Sequence, residues 1–301
     1  MAVTGANSAL GQVVVVQALE RRGVELVACV RSERAASELP PIPESRGRVA
    51  RVDFDAPATL REAFRDADAV IHLPGILIET PGRSYESANV DTVRAAVAAA
   101  RAEAVAKFVL VGALGADPGS PNPYFRSKGE AEQLLLHSGL AHTVLRAPLV
   151  LGCASAGDRA LARETAGGLV PLIGGGRSRE QPVDARDLAE GALAAATDAA
   201  RARGRVLELV GRESLPLREI VERGARLRRA RVRIVPIPTS AVKGFLALRK
   251  RFARGGLSPE VIDVMQTDVC CDPEPAAAAL GIRLRSLDDT IRRSLQVEDA
   301  T

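Results

Sequence analysis

The sequence predicts an α/β fold with a doubly wound parallel sheet and a smaller, mostly helical lobe towards the carboxyl terminus. Over the first 150 residues, short apolar runs alternate with longer helical patterns. This alternation is typical of strand, helix, strand units whose strands run parallel. A glycine-rich stretch, VTGANSALG at 3–11, lies where the first strand gives way to the first helix. Both observations favour a doubly wound sheet.

The elements of the core follow one another in regular alternation. Apolar runs predict strands at 2–4, 25–30, 48–53, 69–73, 107–111 and 143–146. The intervening stretches have helical spacing and predict helices at 10–22, 33–38, 59–65, 85–102 and 124–137. The strand at 2–4 is short for the centre of a sheet, and a chain that begins upstream of Met1 would explain this.

The pattern changes after residue 146. Residues 151–182 are rich in glycine and proline and predict long loops with a short helix. The segments that follow predict a strand or bridge at 182–185, a helix at 186–197, a strand at 206–210, and a helical region at 216–295 interrupted by a strand at 231–235. We therefore assign residues 1–150, joined by 180–212, to a core domain, and residues 151–179 and 213–301 to the lobe.

The composition is that of a folded protein, since 47% of the residues are apolar and 26% are charged. The cysteines, Cys29, Cys153, Cys270 and Cys271, follow no metal-ligand spacing, and the adjacent pair is poorly placed for a structural disulfide. We therefore predict no metal site and a reducing, cytoplasmic location. No apolar stretch approaches the roughly 18 to 20 residues that span a bilayer, and the amino terminus has no leader pattern.

Basic residues are concentrated between 218 and 254, where the only acids are Glu219 and Glu222. A surface for nucleic acid is one interpretation of such a segment. However, no aromatic platform accompanies the arginines, and no DNA-binding motif is present. We therefore predict no nucleic-acid partner.

The glycine-rich loop has the residues needed to hold a diphosphate. Gly5 allows a tight turn, and Gly11 lets the helix pack close to the sheet. Ser8 replaces the usual middle glycine and can still bond a phosphate, while the amides at the helix start carry partial positive charge. The alternative is a tight turn that needs glycine for steric reasons alone. We predict phosphate contacts from Gly5, Asn7, Ser8, Ala9, Leu10 and Gly11.

Arg31 lies where the ribose of a dinucleotide is expected. In dinucleotide-binding sheets, an acidic residue about 20 residues after the glycine loop binds the ribose hydroxyls. This sequence has Arg31 and Ser32 at that place. A guanidinium suits the 2′-phosphate of NADP, so we predict NADP over NAD. The alternative is a solvated surface arginine.

Two further strand ends complete the predicted cofactor site. Asp53 and Phe54 follow the third strand, where they would contact the adenine, and we also expect Asp55 to cap the next helix. The stretch HLPG at 72–75 lies at the carboxyl end of the fourth strand, the edge where open sheets bind ligands. We interpret His72 as a packed core histidine. The predicted cofactor contacts from this stretch are Leu73, Pro74 and Gly75.

A tyrosine and a lysine share one face of the predicted fifth helix. In NPYFRSKGEAEQ at 122–133, Tyr124 and Lys128 are four residues apart. This is the spacing of a hydride-transfer site. The alternative is that Tyr124 merely opens a helix after Pro123 and that Lys128 is a surface charge.

Taken with the glycine loop, Arg31 and Asp53, the segments ANVDTVRAAVAAA, which contains Asn89, and YFRSK resemble the short-chain dehydrogenase/reductase superfamily. Three later segments are similar to its atypical branch, which includes NmrA-like proteins and the Rossmann-type accessory subunit of respiratory complex I. They are PLIGGGRSREQPVDARDLAEGALAA, LSPEVIDVMQTDV and LGIRLRSLDDTI. The resemblance covers nearly the entire chain and implies a Rossmann core with a substrate lobe.

The resemblance also implies catalytic roles. In the enzymes of this superfamily a tyrosine passes a proton to or from the substrate oxygen, and Tyr124 would do so here. Lys128 and the charge of the oxidised nicotinamide would favour the phenolate, and Lys128 would also hold the nicotinamide ribose. Asn89 would support a water relay.

The serine that usually completes such a site has no counterpart at the expected place. The fifth strand ends in KFVLVGALGADPGS, with Gly112, a predicted cofactor contact, and Ala113 at the serine positions. Without the hydroxyl, transition-state stabilisation would fall by roughly a few kcal/mol. Two interpretations therefore stay open. One is an NADP(H)-dependent oxidoreductase acting on a carbonyl or alcohol of a hydrophobic small molecule, and the other is a non-catalytic NADP(H)-binding redox sensor or assembly subunit.

A third interpretation, sugar-nucleotide epimerisation or dehydration, is disfavoured. The relatives with that activity usually keep the serine or threonine, and an acidic residue takes the place of Arg31 in them.

The lobe gives hints about the substrate. The segment TSAVKGFLALRKRFARG at 239–255 combines apolar and basic residues. Such a helix can lie on an anionic membrane or form the lip of a pocket for a quinone- or isoprenoid-like molecule, but more often it packs its apolar face on its own domain. We therefore predict a small-molecule substrate and treat peripheral membrane contact as the less favoured interpretation. Asp187 is expected to cap the helix at 188–197 and to tie the lobe to the core.

Overall fold

The computed structural model describes residues 1–198, 200–249 and 255–296. The strands are β1 (Ala2–Thr4), β2 (Leu26–Val30), β3 (Gly47–Arg51), β4 (Ala69–His72), β5 (Lys107–Ala113), β6 (His142–Ala147), β7 (Val150–Leu151), β8 (Gly168–Ile173), β9 (Arg179–Glu180), β10 (Val183–Asp184), β11 (Arg205–Glu208), β12 (Leu215–Pro216) and β13 (Val232–Ile237).

The helices lie between these strands and in the lobe. They are α1 (Ala9–Glu20), α2 (Glu33–Ser37), α3 (Pro57–Phe64), α4 (Asp91–Ala102), α5 (Pro123–Leu136), α6 (Ala156–Thr165), α7 (Ala185–Thr197), α8 (Leu217–Leu227), α9 (Thr239–Arg249), α10 (Pro259–Met265), α11 (Glu274–Leu280) and α12 (Leu287–Leu295). A π-helical turn at Glu86–Val90 precedes α4. None of the described helices is both long and apolar enough to cross a membrane.

Within the described residues the central sheet has seven strands in the order β11, β6, β5, β4, β1, β2, β3, and every neighbouring pair is parallel. The chain moves outwards from β1 in one direction and then in the other, which is the doubly wound arrangement predicted from the sequence. That prediction is therefore confirmed. The carboxyl ends of all these strands meet at one edge, where such folds place their ligands.

Both faces of the sheet are covered, which explains why its strands are continuous apolar runs. On β5, Val109 and Val111 pack with the cluster under α1 and α7, while Phe108 and Leu110 pack with the cluster under α3, α4 and α5. Successive side chains of a strand point to opposite faces, so one strand supplies both cores.

The lobe has more regular structure than the sequence predicted. The stretch at 151–182, predicted as loops with one short helix, contains α6 and also β8, which pairs in parallel with β13. The strand was missed because its apolar run, GLVPLI, is short, contains a proline and begins with glycine. Leu161, Val170 and Ile291 belong to the apolar cluster of the lobe.

One segment assigned to the lobe packs on the core instead. Ala277 and Leu280 of α11, with Ile282 after it, are buried in the same cluster as Leu193 of α7 and Leu209 after β11. The rest of the proposed division into core and lobe stays a prediction.

Asp187 links the lobe to the core as expected, but it is not the helix cap. Helix α7 begins at Ala185, and the cap is Asp184, whose carboxylate accepts from the Arg186 amide at 2.8 Å. The Asp187 carboxylate accepts from the backbone amide of Arg285 at 2.8 Å and also pairs with its guanidinium. Since Asp184 occupies the capping position, Asp187 is left to hold the segment before α12.

The cap predicted for Asp55 is also wrong. Helix α3 has Ala56 at its cap position, with no side-chain cap bond. The turn is organised by Thr59, whose hydroxyl donates to the carbonyl of Ala56 at 2.8 Å and accepts from the amide of Asp53 at 2.9 Å.

Candidate functional site

The glycine-rich loop at 3–11, the predicted phosphate loop, is shaped by two close approaches of the backbone. Gly5 has a left-handed φ of +72°, and a β carbon on it would contact the ring of Pro74 at 3.3 Å. A β carbon on Gly11 would lie 2.3 Å from the carbonyl oxygen of Gly5, so α1 can approach the turn only with glycine here. Helix α1 therefore starts directly against the carboxyl end of β1.

The start of α1 can receive an anion. The Ser8 hydroxyl oxygen accepts from the amide of Gly11 at 3.0 Å as the helix cap, which leaves its proton free to donate to a phosphate. The amides of Ala9 and Leu10 belong to the first turn and have no partner within the helix. Asn7 lies in the loop but its side-chain amide donates to Glu38 at 3.0 Å, so it ties the loop to the segment after α2.

Arg31 is exposed at the end of β2, where the ribose phosphate of NADP was predicted. The next residue, Ser32, caps α2 by accepting from the amide of Ala35 at 3.2 Å. Burial and then the positive charge of Arg31 lower the pKa of Arg83. The two guanidinium groups therefore lie within electrostatic reach of each other and would both attract an anion bound between them.

Asp53 and Phe54 lie at the end of β3, but both make contacts within the protein. The Asp53 carboxylate accepts from the amide of Asp55 at 3.0 Å while remaining exposed. Phe54 packs edge-on against His72, with 5.9 Å between the ring centroids. The exposed carboxylate can still accept from a ligand amino group.

His72 is a core residue, as the sequence analysis expected. It is fully buried, and its Nδ1 lies 2.9 Å from the hydroxyl oxygen of Thr4. Burial, with a smaller effect of the Lys128 charge, lowers the pKa of His72 to about 3. The neutral imidazole is therefore the favoured form at physiological pH.

Tyr124 lies in the first turn of α5. Asn122 caps this helix, because its Oδ1 accepts from the backbone amide of Tyr124 at 3.0 Å. The ring of Tyr124 packs edge-on against Tyr85, with 5.9 Å between centroids. Burial raises the pKa of Tyr124 above its ordinary range, and Tyr85 adds to this effect. In the ligand-free protein the neutral phenol is thus the favoured form, so any phenolate would depend on charge brought by a ligand.

Lys128 lies one turn further along α5 and is only 8% exposed. A β carbon on Gly75 would lie 3.1 Å from its Nζ and 3.2 Å from the Asn89 Oδ1, so the loop after β4 closes over both side chains. Burial lowers the pKa of Lys128 to about 8, against an opposing effect of Glu132. No hydrogen bond or ion pair joins this ammonium to another residue within 1–198, 200–249 or 255–296.

Asn89 holds the loop that covers Lys128. Its Oδ1 accepts from the amide of Ile76 at 2.7 Å, and its Nδ2 donates to the Ile76 carbonyl at 3.2 Å and to the Ser127 hydroxyl at 3.0 Å. Both of its amide hydrogens are thereby used. These bonds give Asn89 a structural task, and its predicted part in a water relay stays a prediction.

The missing serine has a steric explanation. A β carbon on Gly112 would lie 2.7 Å from the Glu132 Oε1 and 3.4 Å from Val144. Glu132 is 1% exposed and binds the Arg146 guanidinium through two bonds from Nε and one from Nη2, the shortest at 2.7 Å. Arg146 is the register partner of Gly112 in the sheet. The space that a serine at 112 would need is therefore occupied by a buried ion pair.

Glu132, Arg146 and Tyr85 surround the predicted pair but were not predicted from the sequence. Glu132 stands four residues after Lys128, so helical spacing alone places it on the same face. Arg146 interrupts the apolar run of β6. Arg146 inside a buried strand and Glu132 on the facing helix could have indicated an ion pair from the sequence, because buried charges are normally paired.

Lys128→Met should stabilise the ligand-free protein by about 1 to 3 kcal/mol at pH 7, because it removes an unpaired buried charge. The pKa of Lys128 is lower in the folded state than when unfolded, so the gain is largest below about pH 8 and disappears as the pH rises towards 10.5. Denaturant unfolding at several pH values measures this.

Lys107→Met is the matched control for that prediction. Lys107 is also buried, but its ammonium donates to the carbonyl of Arg201 at 3.0 Å. Its replacement leaves that carbonyl without its donor and should destabilise the protein. Loss of stability in both variants would contradict the account of Lys128.

Gly112→Ser should destabilise the protein by about 1 to 3 kcal/mol, because the new side chain meets the Glu132 carboxylate. The same substitution is then measured in a Glu132→Ala background, where we expect its cost to fall to near zero. An equal cost in both backgrounds would mean that Glu132 is not the obstacle.

Comparisons with known proteins identify the family and support the fold. A family model described as NAD(P)H-binding matches residues 5–199. Subunit 9 of the mitochondrial NADH dehydrogenase [ubiquinone] 1 alpha subcomplex from Arabidopsis thaliana is 28% identical over 254 residues, which are 82% of this chain and 62% of that protein. Ceramide reductase from Caulobacter vibrioides is 30% identical over 152 residues, 50% of this chain and 46% of that protein.

The chain spans between 40% and 62% of the length of the curated relatives that it matches. Among solved structures, the NADPH complex of the quinone oxidoreductase QOR2 from Escherichia coli has a TM-score of 0.72 and 21% identity, covering 97% of this chain and 98% of that one. Solved proteins of this fold contain either NAD or NADPH. The family model covers more than half of the sequence, and its match shows that this chain belongs to the NAD(P)H-binding family of Rossmann proteins.

Proposed function

We propose that the protein is an NADP(H)-dependent oxidoreductase of the atypical short-chain dehydrogenase/reductase class, acting on a carbonyl or alcohol of a hydrophobic small molecule. The observation that carries the proposal is that Tyr124 and Lys128 lie one turn apart on α5, with the buried Lys128 ammonium beside the loop at Gly75 and without a hydrogen bond or ion pair to any described residue. This loop follows β4, whose neighbour β1 leads into the phosphate loop. A dinucleotide at that edge would have its diphosphate at α1 and its nicotinamide near α5.

The preference for NADP over NAD rests on charge. Arg31 is exposed at the end of β2, and its charge acts on Arg83. Two guanidinium groups near each other repel in the free protein, and a bound dianion such as the 2′-phosphate would offset this repulsion. The family model is described as NAD(P)H-binding, so the preference for NADP rests on Arg31 and Arg83.

In the reduction direction, a nucleotide held by the glycine-rich loop and Lys128 would supply a hydride from nicotinamide C4 to the carbonyl carbon. The hydroxyl of Tyr124 donates its proton to the carbonyl oxygen, and solvent returns a proton to the phenolate. The raised pKa of Tyr124 keeps this proton in place until the oxygen develops charge. Lys128 holds the ribose hydroxyls and, as an ammonium, stabilises the phenolate that the transfer leaves behind.

A hydrophobic substrate fits what is known of similar proteins. Two of the proteins compared above are named for the reduction of a ceramide and of a quinone, both of which are apolar. We extend that class, a quinone-like or isoprenoid-like molecule included, to this chain. We also place the protein in the cytoplasm, since the four cysteines are free thiols.

The second candidate function is a non-catalytic NADP(H)-binding sensor or assembly subunit. The pair formed by Glu132 and Arg146 favours it, because the Glu132 carboxylate takes the space that a serine at 112 would need to polarise a substrate carbonyl. The similarity to a complex I subunit points in the same direction. The two functions differ in turnover, and both require nucleotide binding.

Arg31→Ala should weaken NADPH binding by about tenfold to a hundredfold while changing NADH affinity by less than about threefold, because only NADPH has the 2′-phosphate. Fluorescence titration of both nucleotides measures this. Arg22→Ala, an exposed arginine just after the far end of α1, is the control and should change neither affinity. Equal losses for NADPH and NADH in Arg31→Ala would contradict the assignment.

Tyr124→Phe should lower kcat by about a hundredfold or more and leave NADPH affinity nearly unchanged, because it removes the proton donor and keeps the ring. The assay follows NADPH oxidation with a panel of quinones and long-chain ketones. Tyr85→Phe is the matched control, since it loses only the bond from its hydroxyl to the Leu77 carbonyl, 2.8 Å away. We expect it to retain most of the turnover.

The panel also separates the two functions. Turnover that survives Tyr124→Phe would exclude Tyr124 as the proton donor. Tight NADPH binding without oxidation by any member of the panel would favour the sensor or subunit.

A further inference from the structure

A cleft of about 1150 Å³ lies between α1 of the core and the helices α6 and α12 of the lobe. Ala9, Val13 and Val16 of α1 line one side, and residues of α6, α12 and the loop at 152–154 line another. All of these residues belong to the described part of the chain, unlike the basic stretch at 250–254, which lies outside it. We call this space the α1 cleft.

Helix α1 faces the cleft with an apolar row. Ala9, Val13 and Val16 are spaced at i, i+4 and i+7, so they follow one side of the helix. Val16 is 43% exposed, although Val14 and Val15 beside it are buried in the core. A helix that is apolar on several sides is normally covered on all of them. The row is long enough for an extended hydrocarbon chain, because twelve helical residues span about 18 Å.

The rest of the lining is mostly basic, and five arginines contribute to it. Two of them are neutralised within the protein, Arg186 by Asp184 and Arg285 by Asp187. Within residues 1–198, 200–249 and 255–296, no carboxylate forms an ion pair with the other three, which are Arg159, Arg163 and Arg293. We call these three the cleft arginines.

Two of the cleft arginines are held in place without being neutralised. The Nε of Arg293 donates to the carbonyl of Gly152 at 2.8 Å, and the Nη1 of Arg159 donates to the carbonyl of Ala154 at 2.7 Å. A carbonyl orients a guanidinium but has no net charge, so the other N–H groups stay available to an anion. Ala154 has a φ of +64°, a left-handed conformation that is unfavourable for a residue with a β carbon. The loop is therefore strained where it supplies this carbonyl.

The acids that line the cleft do not cancel its positive charge. Asp158 is fully buried, and its carboxylate accepts from the amides of Gly152, Cys153 and Ser155 at 2.6, 3.1 and 2.8 Å. These bonds hold the loop whose carbonyls orient the arginines. Glu20 is exposed at the last position of α1 and forms no ion pair with any cleft arginine.

The cleft arginines also repel one another. Arg159 and Arg163 are four residues apart on α6, and like charges at this spacing destabilise a helix. Arg163 makes no hydrogen bond to any described residue, and its charge acts on the neighbouring Glu164 by opposing the effect of burial on the pKa of that carboxyl. A bound anion would remove this repulsion.

We infer that the α1 cleft binds a phosphate monoester of a long apolar chain, with the phosphate at the cleft arginines and the chain along α1. Guanidinium groups bind phosphate oxygens in pairs of parallel hydrogen bonds, and several of them match the charge of a monoester, about −1.5 to −2 at neutral pH. The chain would cover Val13 and Val16 and remove their apolar surface from water. The volume of the cleft exceeds that of most small-molecule pockets and leaves room for such a chain.

This binding does not depend on the proposed function and is measured without turnover. The purified full chain is titrated in a calorimeter with dodecyl phosphate, below the concentration at which micelles form. Inorganic phosphate supplies the anion without a chain, and dodecyl maltoside supplies the chain without an anion. We expect one dodecyl phosphate per chain, and affinities for the other two that are lower by about tenfold or more. An affinity for either of them equal to that for dodecyl phosphate would overturn the inference.

Arg163→Gln tests the phosphate position. Because this guanidinium makes no hydrogen bond in the described structure, its loss should not disturb the fold, and Kd for dodecyl phosphate should rise about tenfold. Arg292→Gln is the matched control, since it removes an exposed arginine of α12 that pairs with Asp289 and does not line the cleft. It should bind like the unaltered protein. An unchanged Kd in Arg163→Gln would overturn the inference.

Val16→Asp tests the position of the chain. The new carboxylate interrupts the apolar row and should weaken the binding of dodecyl phosphate by about tenfold or more. Val49→Asp is the control, because Val49 is also an exposed valine, at 42%, but lies on β3. Thermal unfolding checks that all variants are folded. If Val16→Asp binds as tightly as Val49→Asp, the chain does not lie along α1 and the inference is wrong.

Two further measurements separate the cleft from other sites. Ala9 lines the cleft and also belongs to the glycine-rich loop, so the titration is repeated with saturating NADPH. We expect Kd to change by less than about threefold, and displacement by NADPH would place the amphiphile in the nucleotide site and overturn the inference. The oligomeric state is measured without ligand. If the unaltered protein is an oligomer and Val16→Asp is a monomer, the cleft is an interface between copies and the inference fails.

Discussion

The position of α5 on the sheet is the constraint on which the candidate site depends. A β carbon on Gly129 would lie 2.2 Å from the backbone nitrogen of Pro118, and one on Gly112 would meet Glu132. The helix can approach this closely only because both positions are glycine. The ion pair of Glu132 with Arg146 then joins the helix to β6. Tyr124 and Lys128, on the turns before Glu132, take their positions from this packing.

The arrangement has an energetic cost at the point where function is expected. A lysine that is buried without a hydrogen bond or ion pair in the described structure destabilises the fold, since the charge of Glu132 compensates its desolvation only in part. Asn89 and Gly75 nevertheless keep the loop closed over it. Residues that are unfavourable for stability and yet held in place by several contacts are typical of binding sites, where a ligand supplies the missing interaction.

The sequence was sufficient for the sheet and for the glycine turn between β1 and α1, because both depend on local patterns. The continuous apolar runs of β4 and β5 are typical of strands buried on both faces, and Gly5 and Gly11 mark the turn between strand and helix. A contact from Asp187 to a distant segment of the chain was also predicted, although its partner, Arg285, was not. Such contacts join residues far apart in the chain, and no local pattern specifies the partner.

What could not be predicted shares this long-range character. Gly112 and Ala113 were predicted to stand at the serine positions, but the approach of Glu132 to Gly112 depends on how α5 packs against the sheet. Strand β8 has a weak local pattern and is specified by its partner β13, which lies more than 60 residues further along the chain, as the pairing of Gly168 with Val232 shows. The cap predicted at Asp187 failed because α7 begins earlier and Asp184 takes the position, and the one predicted at Asp55 failed because α3 starts with Ala56 at its cap position and no side-chain cap.

The placement of α11 has a consequence for how the molecule is built. A β carbon on Gly191 of α7 would touch both Leu209 and Leu280, at 3.0 Å each, so the three segments are in close contact. The nucleotide-binding half is therefore covered by residues that are synthesised long after it. Until α11 is synthesised, the apolar surface of α7 that it covers is exposed, and exposed apolar surface of this kind promotes aggregation during folding. Folding of this half is completed only when residues 274–282 emerge.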